Sequence, residues 1–259
     1  MCDVDEVCGV THLHDIVYVI CYHSTTMRRY NSTTRQRLTD IKCKDMKHPV
    51  AITVCQQTSH IYLADSDFDG FDAGSIWLVS AVGGDIKHWL PKSPDSTFRP
   101  RSLSVTSTRL LVTLFNTNWL IWYDADGNEL TRVQFPDYIE PYEATESPTG
   151  TFISSSWNAQ LRQFQLTEFN IAGQLMRQFG DSFPLPLDIL VDSPGNVLVA
   201  DPHSQHILLH DNHLSLRRVI VDEIQLNHKQ PHCMHYMEQS GQLLVGLKDG
   251  IVVFDVLRR

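Results

Sequence analysis

Short apolar runs, each bounded by Gly, Pro, Asn or Asp, recur along the whole chain. Such runs predict β-strands, and such punctuation predicts turns. The pattern is plainest between Pro186 and Asn212. There LDILVD, NVLVAD and HILLHD read as three strands, separated by the turns Ser193-Pro194-Gly195-Asn196 and Pro202-His203-Ser204. The series restarts at Pro49, Pro100, Pro141 and Pro231, so that successive prolines lie 51, 41, 45 and 45 residues apart. One more unit fits ahead of Pro49, with Asp5 in the place of the proline; VDEVCGV and IVYVICY then match VAITVCQ and IYLADSD at an offset of 44. No segment carries a capped 3.6-residue period, so almost no helix is expected.

A repeat of roughly 40–50 residues with four short strands per unit predicts a β-propeller blade, whose sheet buries its faces only by stacking on neighbours. Six such units, starting near 5, 49, 100, 141, 186 and 231, account for all 259 residues as one domain. The expected fold is all-β: a six-bladed propeller of four-stranded antiparallel blades. The last unit runs out after its third strand, at Asp255-Val256-Leu257-Arg258-Arg259. Either the sixth blade has three strands, or the chain is the C-terminal portion of a longer product.

The order of proline, strand ending in Asp, Gly-Asn turn, strand ending in Ala-Asp, then His-x-Ile resembles the NHL repeat. It is nearly complete in residues 186–212 and partial at Pro49, Ile61 to Asp65 and Ile76. The resemblance implies a propeller like the C-terminal domain of tripartite-motif ubiquitin ligases, where one face holds a protein or RNA ligand. The catalytic zinc domains of those ligases lie upstream, and six scattered cysteines cannot build them here. A ligase role would therefore rest on residues outside this chain, leaving it the substrate-recognition part. The architecture also resembles that of metal-dependent lyases and lactonases, which hold a metal at the channel ends of inner strands. The corresponding places here, one residue after each opening proline or its equivalent, are Glu6, Val50, Arg101, Tyr142, Leu187 and His232. That ring offers no triplet of histidines or carboxylates, and Arg101 would repel a cation. His232 and His235 form its local pair. Arg101, Tyr142 and His232 are instead residue types that anchor recognition.

Composition narrows the picture. No stretch approaches the ~18 uninterrupted apolar residues of a membrane span. The acidic start, MCDVDEVCGV, lacks the basic and apolar regions of a secretory signal. The chain thus reads as soluble and cytoplasmic, with its cysteines as buried thiols. The net charge of −9 disfavours generic phosphate binding, whose affinity scales with cationic contacts. Residues 28–47 are an exception, with seven Lys or Arg against two Asp. Arg28 and Arg29 begin this strip, which is a candidate docking patch for RNA or the solvated face of outer strands. A protein partner is favoured over RNA on charge.

One local motif suggests a metal. Asp65, Asp67, Asp69 and Asp72, with Gly70 at the sixth place, alternate oxygen ligands around a tight turn as a calcium loop does. The residue at the twelfth place is Ile76, where a calcium-binding EF-hand has Glu, and Asp72 falls one short of the ninth. An acidic surface turn is the plainer reading, and no cofactor other than calcium is expected. Asp124-Ala-Asp126-Gly127 reads as a hairpin turn. The four histidines His203, His206, His210 and His213 read as hydrogen-bonded turn residues, because His206 and His210 would be ~13 Å apart along a strand.

Overall fold

The computed structural model describes residues 6–66, 73–81, 85–90, 97–106, 109–179, 183–185 and 188–256. Its strands fall into six antiparallel sheets. Blade one holds β1 (Val7–Leu13), β2 (Ile16–Cys21), β3 (Thr26–Asn31) and β4 (Ile41–Lys42). Blade two holds β5 (Pro49–Cys55), β6 (His60–Asp65), β7 (Ser75–Ser80) and β8 (Ile86–Leu90). Blade three holds β9 (Pro100–Thr106), β10 (Arg109–Leu114), β11 (Trp119–Tyr123) and β12 (Glu129–Gln134). Blade four holds β13 (Ile139–Glu146), β14 (Phe152–Asn158), β15 (Gln163–Phe169) and β16 (Leu175–Gln178). Blade five holds β17 (Asp188–Val191), β18 (Val197–Asp201), β19 (His206–His210) and β20 (Leu216–Val221). Blade six has three strands, β21 (Pro231–Met237), β22 (Gln242–Leu247) and β23 (Gly250–Asp255). The expected six-bladed fold and its short last blade are both present.

Alternation along each strand explains why the apolar runs are continuous. A strand buried on both faces needs apolar residues at every position. Ile61 and Leu63 of β6 enter the core shared with blade one, whereas Tyr62 and Ala64 enter the core shared with blade three. The buried apolar residues form six clusters, one at each junction between neighbouring blades. The ring closes between blades six and one by face packing of Val7, Val10 and Cys21 on Cys233, Met237 and Leu244. That seam is tight. A Cβ on Gly246 would sit 2.3 Å from Cys233 Sγ and 2.9 Å from Val7 Cγ1.

Five of the inner strands start with a bulge, in blade three where Ser102 and Pro100 pair with the consecutive residues Thr113 and Leu114. The pairing register slips between Pro49 and Ala51, between Pro141 and Glu143, and between Pro231 and Cys233. In blade one the same slip falls between Val7 and Gly9. Val7 therefore takes the proline position, not Asp5, and the bulged residue is Cys8, not Glu6. The offset of 44 was two residues too long because valine carries no punctuation that would mark the strand start. An extra residue at a bulge redirects the side chains that follow it, and here it sets which of them look into the axis.

Turn chemistry follows the sequence. Asp124 Oδ1 accepts from the amides of Asp126 and Asn128, each at 2.9 Å, and Gly127 supplies the positive φ of 86°. The expected hairpin is thus built by an Asx turn. Among the described residues the cysteines are free thiols; Cys21, Cys43, Cys55 and Cys233 are buried and Cys8 is half-buried.

Candidate functional site

The six inner strands surround a cavity of about 1180 Å³ along the propeller axis. At one mouth, where these strands begin, the bulged positions bring Cys8, Arg101, Tyr142 and His232 to the cavity wall. Three of the residues singled out from the sequence therefore converge. Leu187 lies outside the described residues.

Arg101 is the fixed point of this mouth. Its guanidinium lies 3.5 Å from the centroid of the Tyr142 ring and 4.3 Å from that of Phe115. Its Nη1 is 2.8 Å from Glu140 Oε1, and the side chain is only 11% exposed. Tyr142 is held in turn by an edge-on contact with Phe164 at 4.7 Å. Arginine stacked on an aromatic face and paired with carboxylate loses little further freedom when a ligand binds. His232 Nε2 stands 3.5 Å from Glu6 Oε1, so Glu6 borders the mouth without occupying the ring. Burial pushes the His232 pKa down, with Glu6 opposing it.

One residue deeper is a pair that the sequence reading missed. Glu143 and Asp188 occupy equivalent places on adjacent inner strands and both line the cavity. Burial raises the Glu143 pKa well above the usual carboxylate range, and Asp188 raises it further; a hydrogen bond with Ser102 and the charge of Arg101 oppose the rise. Burial pushes the Asp188 pKa up to about 7, against hydrogen bonds from the amides of Met234 and Ile189. Burial and mutual repulsion thus favour the protonated form of these carboxyls. A usable signal was present in the sequence: both residues stand two places after a repeat proline, in Pro141-Tyr142-Glu143 and Pro186-Leu187-Asp188.

Burial also disfavours the charged forms of other channel groups. His235 is pushed down to about 4 by burial and by His12, whose ring centroid is 6.3 Å away. Burial raises the Cys233 and Cys8 thiols well above their usual range, which removes thiolate character. Among the described residues no group of three or more His, Cys, Asp or Glu is placed to hold a metal ion.

Other sequence candidates stand elsewhere. Arg28 and Arg29 lie on β3, the third strand out from the axis, opposite Val19 and Tyr18. Adjacent residues on a strand point to opposite faces, so the two do not form one patch. Arg29 Nε donates to Thr39 O at 2.6 Å, and Arg35 and Arg37 are engaged by Gln242 and Asp40. Asp67, Asp69 and Asp72 lie outside the described residues. Asp65 Oδ1 accepts from the amides of His48 at 2.6 Å and Lys47 at 3.1 Å, which ties the end of β6 to the start of its blade. His206 pairs with Glu223 at 2.9 Å, and His210 is fully buried against Phe179. Among the described residues no helix is long and apolar enough to cross a membrane.

No protein-family model matches the chain, and no curated protein matches it. Among solved structures it is similar to a streptogramin B lyase, with a TM-score of 0.65 and 12% identity over 97% of this chain and 94% of that one. It is also similar to a chain of a nidogen/laminin complex, with a TM-score of 0.63 and 14% identity over 86% of this chain and 82% of that one. At such identities the likeness fixes the architecture and nothing finer: the chain is a six-bladed β-propeller.

Proposed function

We propose that this propeller is a binding module that receives a protein partner over the channel mouth, with Arg101, Tyr142 and His232 as its anchors. The observation that carries the reading is the Arg101 stack, a guanidinium immobilised between two aromatic rings beside an open cavity. Anchors already held in their bound geometry cost less to order on association. The nidogen/laminin neighbour, a propeller in a protein complex, accords with this use. The finer reading makes the partner a substrate of a tripartite-motif type ubiquitin ligase in the cytoplasm. Its support is the repeat pattern of residues 186–212.

The test is proximity cross-linking in cells with the wild-type chain, Arg101→Ala and Tyr142→Ala, and with Arg29→Ala as a control on the rim. Partners lost with the first two and kept with the third support the reading. A partner set unchanged by Arg101→Ala and Tyr142→Ala overturns it. Oligonucleotide binding with a steep salt dependence, lost in Arg28→Glu with Arg29→Glu, would assign the strip at 28–47 to RNA instead.

A second reading has its own observation. Buried carboxyls whose pKa values are raised towards neutrality are suited to general acid–base catalysis, and Glu143 and Asp188 both line the cavity. A hydrolase or lyase using the channel would lose its turnover in Glu143→Gln and keep it in Arg29→Ala.

A further inference from the structure

Five blades end in an outer strand, and blade six does not. Among the described residues nothing pairs with the outer edge of β23. The third strands β7, β11 and β15 are buried almost throughout; Ile251, Val252, Val253 and Phe254 of β23 are half-exposed, as are Leu208 and Leu209 of β19. An open edge of β-branched and aromatic residues is a template for a further strand.

The sister blades show what that strand must look like. Asp188 pairs with Ala200 and Cys233 with Gly246, and these pair in turn with Ile207 and Ile251. Val252, Val253, Phe254 and Asp255 therefore stand where Leu208, Leu209, His210 and Asp211 stand in blade five. In blade five, Val219, Arg218 and Leu216 of β20 lie opposite Leu208, Leu209 and His210. Arg217 of the same strand reaches Asp211 at 2.6 Å. Blade four repeats the pairing of basic outer strand with acidic third strand, with Arg177 Nε 3.2 Å from Glu168 Oε2. Asp255 is exposed at the Asp211 position and accepts a hydrogen bond from the neutral Gln242 at 3.0 Å.

We propose that the outer edge of β23 is a docking site for an extended basic strand of a partner polypeptide, added antiparallel so that its arginine or lysine meets Asp255. The surface is distinct from the channel mouth. Main-chain hydrogen bonds supply the affinity of such an addition, and alternate side chains and the charge at Asp255 set its register. A guest strand patterned like β20 places an apolar residue over Val252 and over Phe254.

The probe is a fluorescent peptide with the sequence of residues 212–221, titrated into the whole protein and followed by anisotropy. Saturable binding is expected. It should weaken about threefold to tenfold when the peptide carries Arg217→Glu or the protein carries Asp255→Lys. Combining the two changes should restore it, which a merely structural effect of either would not do. N-methylation of the peptide's pairing amides should abolish it. Hydrogen exchange gives the second readout: the Ile251 and Val253 amides, which face away from β22, exchange freely in the isolated protein and are protected by the peptide. Absence of saturable binding overturns the proposal. Protection of these amides at every dilution without peptide also overturns it, because the chain's own residues then cover the edge. Protection that grows with protein concentration alone overturns it in favour of a second copy of the chain.

Discussion

Replacing Asp188 by asparagine should change how stability depends on pH. Asp188 takes up its proton near 7 in the folded protein, against an ordinary value of 3.8. Between those two pH values the folded state holds a proton that the unfolded chain has released. The group's contribution is therefore full below pH ~4 and is lost as pH rises through ~7. A gap of about three pK units at 1.36 kcal/mol each sets the loss at about 4 kcal/mol. Glu143 on the neighbouring inner strand interacts with Asp188, and the Met234 amide donates to it, so the value belongs to the pair. Asparagine keeps an acceptor for that amide and has nothing to ionise. Urea unfolding, followed by the fluorescence of the five tryptophans, gives the stability of both proteins at several pH values between about 5 and 8. Wild type should lose stability towards the alkaline end, and Asp188→Asn should lose about 2–3 kcal/mol less between about pH 5 and 8, the part of the titration that this window covers. The low-titrating histidines His12 and His235 act in the opposite direction, but they cancel in the difference between the two proteins. Parallel profiles would refute the reasoning, because they would mean that Asp188 ionises in the folded state as freely as in the unfolded one.

Further expectations concern packing and the acidic loop. Gly246→Ala should cost about 1–3 kcal/mol by overpacking the seam between blades six and one. Cys233→Ala in the same chain should return part of that cost, a non-additivity that thermal melts of the single and double variants would show. Asp65→Ala leaves the Lys47 and His48 amides without their carboxylate and should cost about 1–3 kcal/mol. A chelator should leave the wild-type Tm unchanged; a fall of several degrees that Asp67→Ala abolishes would assign the loop to calcium instead.

Most of the architecture was readable before any coordinates, for a physical reason. Blades stacked on both sides need unbroken apolar strands, and turns between them need Gly, Pro, Asn and Asp, so the period is written in residue types. Arg101, Tyr142 and His232 could be placed together because a proline marks each of their strands. Blade one has valine at that mark, and the alignment there slid by two residues, which exchanged Cys8 for Glu6. Glu143 and Asp188 were overlooked for a related reason. A bulge, such as the one ahead of Glu143, is a matter of hydrogen-bond register, and no residue type announces it; counting one place past the proline stopped short of both carboxyls. Arg28 and Arg29 look like one patch in the sequence, but strand alternation sends them to opposite faces.

The division of the core into six clusters has a consequence for how stability is distributed. Each cluster joins only two adjacent blades, and each blade takes part in only two clusters. The molecule is thus a closed loop of nearest-neighbour couplings, with no central mass on which every blade depends. Damage at one junction is felt by two blades and leaves five other couplings in place. A ring of this kind has a graded response to injury: it opens at its weakest junction into a curved row of blades before any single blade gives up its own sheet.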